Sequence, residues 1–175
     1  MPNPPGNVTV TPQVAGDGSI LPSTPQTVAA GTVLQFTVTP VTGNHITGVA
    51  GCPGTFAAPL FTSAPLQADC TLVATFDINR YAIGGTVAGL DASGLVLQLN
   101  GGDDLAIAAN ATNFAFPTTL THGSAYEVTV AQQPANQLCS VDNGSGTANA
   151  DVADIAVTCV AHPDDTIFKD GFDAG

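Results

Sequence analysis

The sequence predicts an all-β fold, built as two small β-sandwich or β-roll domains in tandem, each with one internal disulfide. Three observations predict it. Apolar and polar residues alternate with a period of two, as in half-buried strands, and no window keeps helical apolar spacing through three turns. The 19 glycines and 13 prolines supply frequent turn signals. The 4 cysteines form two close pairs, one in each half of the chain.

The first domain is predicted to span residues 7–78, after a proline-rich linker at 1–6. Apolar residues alternate with threonine and other polar residues in three predicted strands, at 8–11, 34–39 and 72–76. Gly16-Asp17-Gly18 is a turn signal between the first two. The last of these strands closes the domain.

The second domain is predicted to span residues 81–161 and is followed by a tail at 162–175. Gly84-Gly85 indicates a bend or bulge close to its start. Alternation and short apolar segments predict strands at 81–83, 95–99, 105–107, 114–116, 126–130 and 155–159. Turn signals recur every 8 to 12 residues, which is typical of a sandwich.

The cysteine spacing indicates disulfides. Cys52 and Cys70 are close in sequence, as are Cys139 and Cys159. Four cysteines allow three connectivities, and pairing of neighbours is favoured because it keeps each bridge inside one domain. A zinc site is disfavoured, because the spacings are too long for paired zinc ligands and the histidines are far apart. Disulfides imply an oxidising compartment, so we expect an exported protein at the cell surface or outside the cell.

The charge balance excludes several partners. The formal net charge is -12, and Arg80 and Lys169 are the only basic side chains besides histidine. Nucleic acid is excluded because there is nothing to replace phosphate counterions, and anionic membrane surfaces are excluded for the same reason. No apolar run is long enough for membrane insertion.

The first domain contains five segments in a characteristic order: G-D-G-S-I (16–20), T-V-A-A-G (27–31), F-T-V-T-P (36–40), T-G-N-H-I (42–46) and C-T-L-V-A-T-F (70–76). Over nearly all of residues 14–76 this order resembles a divergent internalin B-repeat type bacterial surface repeat. The sequence departs from the family by adding two cysteines around a proline-rich excursion. The resemblance implies an extracellular β-rich repeat with no catalytic residues to transfer.

The second domain contains Y-A-I-G-G-T-V-A-G-L (81–90), L-V-L-Q-L-N-G-G-D-D-L (95–105), Y-E-V-T-V (126–130), C-S-V-D-N-G-S-G-T (139–147) and I-A-V-T-C (155–159). Over residues 81–160 it is similar to immunoglobulin-like or transthyretin-like repeats found in tandem in exported proteins of Gram-negative bacteria. The resemblance implies a sandwich and leaves the ligand open.

Candidate sites for chemistry are few. Asp91, Asp103 and Asp104 offer hard oxygen ligands for calcium, against the simpler interpretation of a solvated turn. Adjacent strand residues point to opposite faces, so Asp103 and Asp104 can share an ion only if residues 100–104 form a loop. No serine lies in a nucleophile elbow, and Glu127 is expected to face water. We therefore expect no catalytic residues, no metal and no cofactor, with calcium at these three carboxylates as the alternative.

The tail contains large apolar residues, Ile167, Phe168 and Phe172, in an otherwise polar segment. Similar short segments end many exported proteins from such bacteria. One interpretation is that the tail folds back on its own domain. The other is that it adds a strand to a sheet edge of another copy or of a partner.

We expect a non-catalytic spacer or adhesion-type binding module, with a protein or carbohydrate ligand or with self-association. One alternative is a structural subunit of an extracellular fibre, assembled by strand addition through the terminal segment. A third interpretation is an accessory domain of a secreted hydrolase.

Overall fold

The computed structural model describes residues 6–162 and contains strands without any helix in that range. The chain divides between Asn79 and Arg80 into two compact units, Met1–Asn79 (unit 1) and Arg80–Gly175 (unit 2). The predicted all-β class with small tandem domains is confirmed.

Unit 1 contains two four-stranded sheets. Its strands are β1 (Asn7–Ala15), β2 (Gly18–Leu21), β3 (Gln26–Ala29), β4 (Gln35–Pro40), β5 (Asn44–Ala50), β6 (Gly54–Ala57), β7 (Leu60–Ser63) and β8 (Cys70–Ile78). Sheet I has the order β3-β1-β8-β5, and sheet II has the order β2-β4-β7-β6.

Alternation explains how these strands build one core between the two sheets. In β4, Phe36 and Val38 are completely buried while the threonines between and after them are exposed. Because successive strand residues face opposite sides, one face of each sheet is apolar and must be covered. Both sheets contribute to the core, which contains Val8, Val10, Ile20, Phe36, Val38, Phe61, Leu66, Leu72, Ala74 and Phe76.

Unit 2 also contains two four-stranded sheets, together with a short two-stranded ladder of β9 and β14. Its strands are β9 (Arg80–Tyr81), β10 (Ile83–Ala88), β11 (Leu95–Leu99), β12 (Asp103–Ile107), β13 (Asn113–Ala115), β14 (Leu120–Thr121), β15 (Ser124–Gln132), β16 (Gln137–Asp142), β17 (Ser145–Ala148) and β18 (Val152–Ala161). Sheet III has the order β13-β10-β18-β16, and sheet IV has the order β12-β11-β15-β17.

Glycines and asparagines of unit 2 form a bulge and a turn at the positions where the sequence has them. The pairing of β10 with β18 shifts register between Ile83 and Gly85, at the predicted bulge. Asn100 and Gly101 both have positive φ, 52° and 71°, and they turn the chain from β11 into β12. Such a turn matches the right-handed twist of the strands that it joins. Cys159 is buried in the core, as its alternation predicts.

The two units share one pattern of strand connections. In each unit the first long strand pairs in parallel with the last, β1 with β8 and β10 with β18. The last strand then pairs antiparallel with β5 or β16, which forms the edge of its sheet. The second sheets share three strands, because β2-β4-β7 pair as β11-β15-β17 do, while unit 1 adds β6 beyond β7 and unit 2 adds β12 beyond β11. Units 1 and 2 therefore have one architecture, with a different added edge strand in the second sheet.

A Val-Ala-Gly sequence marks the same place in both copies, ending with Gly16 in unit 1 and with Gly89 in unit 2. Their φ angles are 92° and 72°, a region that other residues adopt at a cost. A Cβ on Gly16 would collide with the carbonyl oxygen of Phe76, and one on Gly89 with that of Cys159. Each carbonyl belongs to the last strand, one residue beyond the partner of the alanine. Both conformation and close approach therefore require glycine here.

Candidate functional site

Both predicted disulfides form. Cys52 bonds to Cys70 and Cys139 to Cys159, with Cα separations of 5.4 and 4.0 Å, and no cysteine is free. Each bridge ties the last strand of its unit to the antiparallel strand beside it, or to the residues directly after that strand. Disulfides persist in oxidising compartments. The pair therefore indicates an exported protein.

The three predicted calcium ligands do not come together. Asp91 lies in the loop before β11, whereas Asp103 and Asp104 begin β12 beside the other end of β11. β11 has 5 residues, so its two ends are about 13 Å apart at the usual strand rise of about 3.3 Å per residue. Asp103 and Asp104 belong to a strand rather than a loop, so their side chains point to opposite faces.

Asp103 and Asp104 also differ in their surroundings. Gln98 donates a hydrogen bond from Nε2 to Oδ1 of Asp104 at 2.6 Å. Oδ2 of Asp103 is buried and has no hydrogen-bond partner among the described residues. Within residues 6–162, no three His, Cys, Asp or Glu side chains form a group that could hold a metal ion. Calcium binding stays the untested alternative, and the strand geometry offers Asp103 and Asp104 no shared site.

The predicted assembly segment, Ile167, Phe168 and Phe172, lies outside the described residues. Strand addition through it therefore stays a prediction. The sheet edges that such a strand would meet are described: they are β2, β3, β5 and β6 in unit 1, and β12, β13, β16 and β17 in unit 2.

Two of the histidines contact neutral oxygen atoms. Nδ1 of His45 lies 2.9 Å from Oδ1 of Asn79. Nδ1 of His122 lies 3.4 Å from the hydroxyl oxygen of Tyr81, and the two rings meet edge to face. Glu127 is exposed on β15, on the wet face that alternation predicts. These contacts fix ring positions at the ends of strands.

A group of threonines lies on the outer side of sheet I. In β1 and β8 the alternate residues, such as Val10 and Leu72, are buried in the core, so the residues between them face outward. Cross-strand pairing and hydrogen bonds add threonines from β3 and β5 to the same side. We call this set the threonine face: Thr9, Thr11, Thr27, Thr47, Thr71 and Thr75.

Several hydroxyls of the threonine face are hydrogen-bonded to one another. Oγ1 of Thr9 lies 3.0 Å from Oγ1 of Thr27 on the neighbouring strand. Thr47 donates to Oγ1 of Thr75 at 2.9 Å, and Thr75 donates to the carbonyl oxygen of Gly48 at 3.2 Å. These bonds hold the threonine side chains at the two sides of the face in fixed orientations.

The centre of the threonine face is neutral and open to hydrogen bonding. Thr11 and Thr71 are cross-strand partners in the parallel pairing of β1 with β8. Neither hydroxyl bonds to any residue within 6–162. Asp77 lies near the end of β8, and Asp69 lies directly before its start, where Oδ1 of Asp69 accepts a hydrogen bond from the main-chain N–H of Thr9 at 2.7 Å. These two carboxylates lie at the margins of the face, outside the row of Thr11 and Thr71. Each threonine presents a methyl group and a hydroxyl that both donates and accepts, so the face suits an uncharged ligand of mixed polarity.

The alternation in residues 8–11 predicts that Thr9 and Thr11 lie on the solvent-facing side of a strand. It does not predict that Thr71 lies beside them. The parallel pairing of the first strand with the last joins residues about sixty positions apart, and no local pattern reports it. The available signal was threonine at outward positions of both strands, at 9 and 11 in the first strand and at 71 and 75 in the last, with Val73 between them.

Comparisons with known proteins show little. No family model matches the chain, and no curated protein sequence matches it. Among solved structures, the chain is similar to the Bacillus anthracis TIE protein at a TM-score of 0.45 and 9% identity, over 90% of this chain. The chain spans 34% of the length of that protein. Among residues 6–162, no helix has the length and apolar character needed to cross a membrane.

Proposed function

We propose that this chain is a non-catalytic extracellular or cell-surface module that acts as a spacer and as an adhesion-type binding domain. The observation that carries the proposal is the threonine face, a neutral sheet surface with unpaired hydroxyls at its centre, on Thr11 and Thr71. The equivalent outer side of sheet III has fewer hydroxyls and carries the exposed apolar pair Leu138 and Val160. Unit 1 is therefore the binding unit in this proposal.

The ligand class follows from charge and chemistry. A net charge of -12 repels polyanions over distances of about a Debye length. The threonine face offers hydroxyl and methyl groups without an aromatic side chain, which suits the mixed surface of a neutral saccharide or an uncharged patch of a protein. Weak contacts of this kind gain strength from several copies on one surface.

The spacer role rests on stability outside the cell. Each unit is closed by its own disulfide, with sequence separations of 18 and 20 residues. Closing loops of that size stabilises a fold by roughly 3 kcal/mol in the chain-entropy model. Each unit thus carries its own cross-link and core, and repetition of one architecture is typical of extracellular spacers.

The test is a binding screen of the oxidised protein on an array of neutral and acidic glycans and on immobilised extracellular-matrix proteins. The test variant is Thr11→Val with Thr71→Val, which removes two hydroxyls and keeps side-chain shape. The matched control is Thr37→Val with Thr39→Val, on the exposed side of β4. We expect binding to a neutral ligand that the test variant loses and the control keeps. Absence of binding on every surface would count against adhesion.

Six of the eight described edges give the fibre alternative little support. β2, β3, β6 and β17 have 4 residues each and β13 has 3, so they offer few main-chain bonds to an added strand. β12 begins with two aspartates, which oppose pairing. The accessory-domain alternative is distinguished by a hydrolase panel on the purified chain, since activity in these residues would contradict the non-catalytic proposal.

A further inference from the structure

The side chain of Gln133 occupies the free edge of sheet III. Its Nε2 donates to the carbonyl oxygen of Cys139 at 3.0 Å, and its Oε1 accepts from the main-chain N–H of the same residue at 2.7 Å. Cys139 lies in β16, which pairs with β18 alone among the strands of residues 6–162. One side-chain amide therefore makes both hydrogen bonds that an added strand would make at this residue.

Ladder geometry shows which groups of β16 face outward. The main-chain N–H and C=O of Cys139 both form hydrogen bonds with the side chain of Gln133 and not with Cys159. Cys139 and Cys159 are therefore a non-hydrogen-bonded pair, in keeping with their short Cα separation of 4.0 Å. The N–H and C=O groups of Gln137 and Val141, two positions away on each side, point outward by the same alternation. Gln133 is thus placed at the middle of the exposed edge.

Unit 1 protects the corresponding edge by a different device. Ile46 of β5 pairs with Phe76 as Cys139 of β16 pairs with Cys159. There the register shifts between Ile46 and Gly48, and a bulge of this kind twists an edge away from pairing. β16 keeps an unbroken register over all 6 of its residues. The two copies of the architecture therefore block the same edge, one with a bulge and one with a side-chain amide.

We propose that Gln133 guards the edge of β16 against pairing with β16 of a second copy of this chain. Antiparallel pairing centred on Cys139 would set outward-facing residues opposite each other and join two copies of sheet III. It would place Asp142 of each copy opposite Asn136 of the other, so the two carboxylates would not meet.

The surface beside this edge fits such a partner. Leu138 and Val160 are cross-strand neighbours on the outer side of sheet III and are 47% and 56% exposed. In unit 1 the corresponding pair is His45 and Asp77, which is polar. In this register Leu138 of each copy would lie opposite Ser140 of the other and diagonally across from Leu138 of the other, so the two exposed apolar pairs would lie beside each other. The edge of β16 in unit 2 therefore needs protection against pairing more than the edge of β5 in unit 1 does.

The experiment measures association by light scattering over a wide concentration range, starting from the monomer mass of 17.4 kDa. The variant Gln133→Ala removes both hydrogen bonds. If this variant does not fold, Gln133→Met is used in its place, because it removes the same bonds and keeps the side-chain bulk. The control Gln98→Ala removes a glutamine hydrogen bond elsewhere in unit 2. The double variant Gln133→Ala with Leu138→Glu sets a carboxylate diagonally across from Asp142 of the second copy.

We expect the wild type and Gln98→Ala to stay at the monomer mass, and Gln133→Ala to rise with concentration toward twice that mass. Adding Leu138→Glu should return the protein to the monomer. The proposal is overturned if the folded Gln133 variants remain monomeric, if the wild type or the control associates equally, or if the double variant associates as strongly as Gln133→Ala.

Discussion

The second disulfide should contribute more to stability than the first, although the two close loops of nearly equal length. Sequence separations of 18 and 20 residues give about 3 kcal/mol for each bridge in the chain-entropy model. The two disulfides differ in how deeply their cysteines are buried. Cys139 and Cys159 are 4% and 5% exposed in the core of unit 2, whereas Cys52 and Cys70 are only partly buried at the margin of the core of unit 1.

The perturbation is replacement of each pair by alanine. In unit 2 the loss of two buried sulfur atoms adds about 1 kcal/mol for each, by analogy with buried methylene groups. We therefore expect Cys139→Ala with Cys159→Ala to cost about 5 kcal/mol of unfolding free energy. The change Cys52→Ala with Cys70→Ala should cost about 3 kcal/mol, with a smaller packing loss.

The assay is guanidinium unfolding with two probes. The protein has 2 tyrosines and no tryptophan, and both tyrosines, Tyr81 and Tyr126, belong to unit 2, so tyrosine fluorescence follows unit 2 alone. Far-ultraviolet circular dichroism follows both units. Each alanine pair should shift only the transition of its own unit. An equal loss in the two units, or a larger loss in unit 1, would refute the argument from burial.

Three further predictions follow from single contacts. Gly89→Ala should lower the unfolding free energy of unit 2 by more than Gly101→Ala, because both have positive φ but only Gly89 lies against a carbonyl oxygen; tyrosine-detected unfolding compares them, and equal losses would contradict this. Asp104→Ala should cost about 0.5–1 kcal/mol because it removes the acceptor of the hydrogen bond from Gln98, whereas Asp103→Asn should cost nothing because Oδ2 of Asp103 has no partner among the described residues, and a larger loss for Asp103→Asn would contradict this. Millimolar calcium should leave the Tm unchanged relative to EDTA. A rise in Tm that Asp103→Asn abolishes would show that calcium binds at Asp103 and would contradict this prediction.

Local patterns predicted the strands that are half buried and the turns between them. Val8, Phe36 and Ile155 alternate with polar neighbours because one face of each sheet is wet, and this pattern is visible in sequence. Short strands such as β6 and β17 were not predicted, because they are rich in glycine or small residues and have little alternation to detect. The other strands that were not predicted are β2, β3, β5, β7, β14 and β16. The disulfide pairing was predictable because each bridge is local.

Long-range features were not predictable from the sequence. The equivalence of units 1 and 2 depends on the parallel pairing of first and last strands, and the repeated Val-Ala-Gly ending at Gly16 and Gly89 is too short to show it. The threonine face depends on the same pairing. The role of Gln133 depends on a loop that crosses from sheet IV to the edge of sheet III, and no residue pattern marks such a crossing.

The most direct test of the proposed function is the dissociation constant for the strongest neutral ligand from the binding screen, measured by surface plasmon resonance. Thr11→Val with Thr71→Val should weaken binding by about tenfold to thirtyfold, since the two lost hydrogen bonds each contribute about 1 kcal/mol to the binding free energy. The control Thr37→Val with Thr39→Val should bind as the wild type does. Equal affinity of the test variant and the wild type would contradict the assignment of binding to the threonine face.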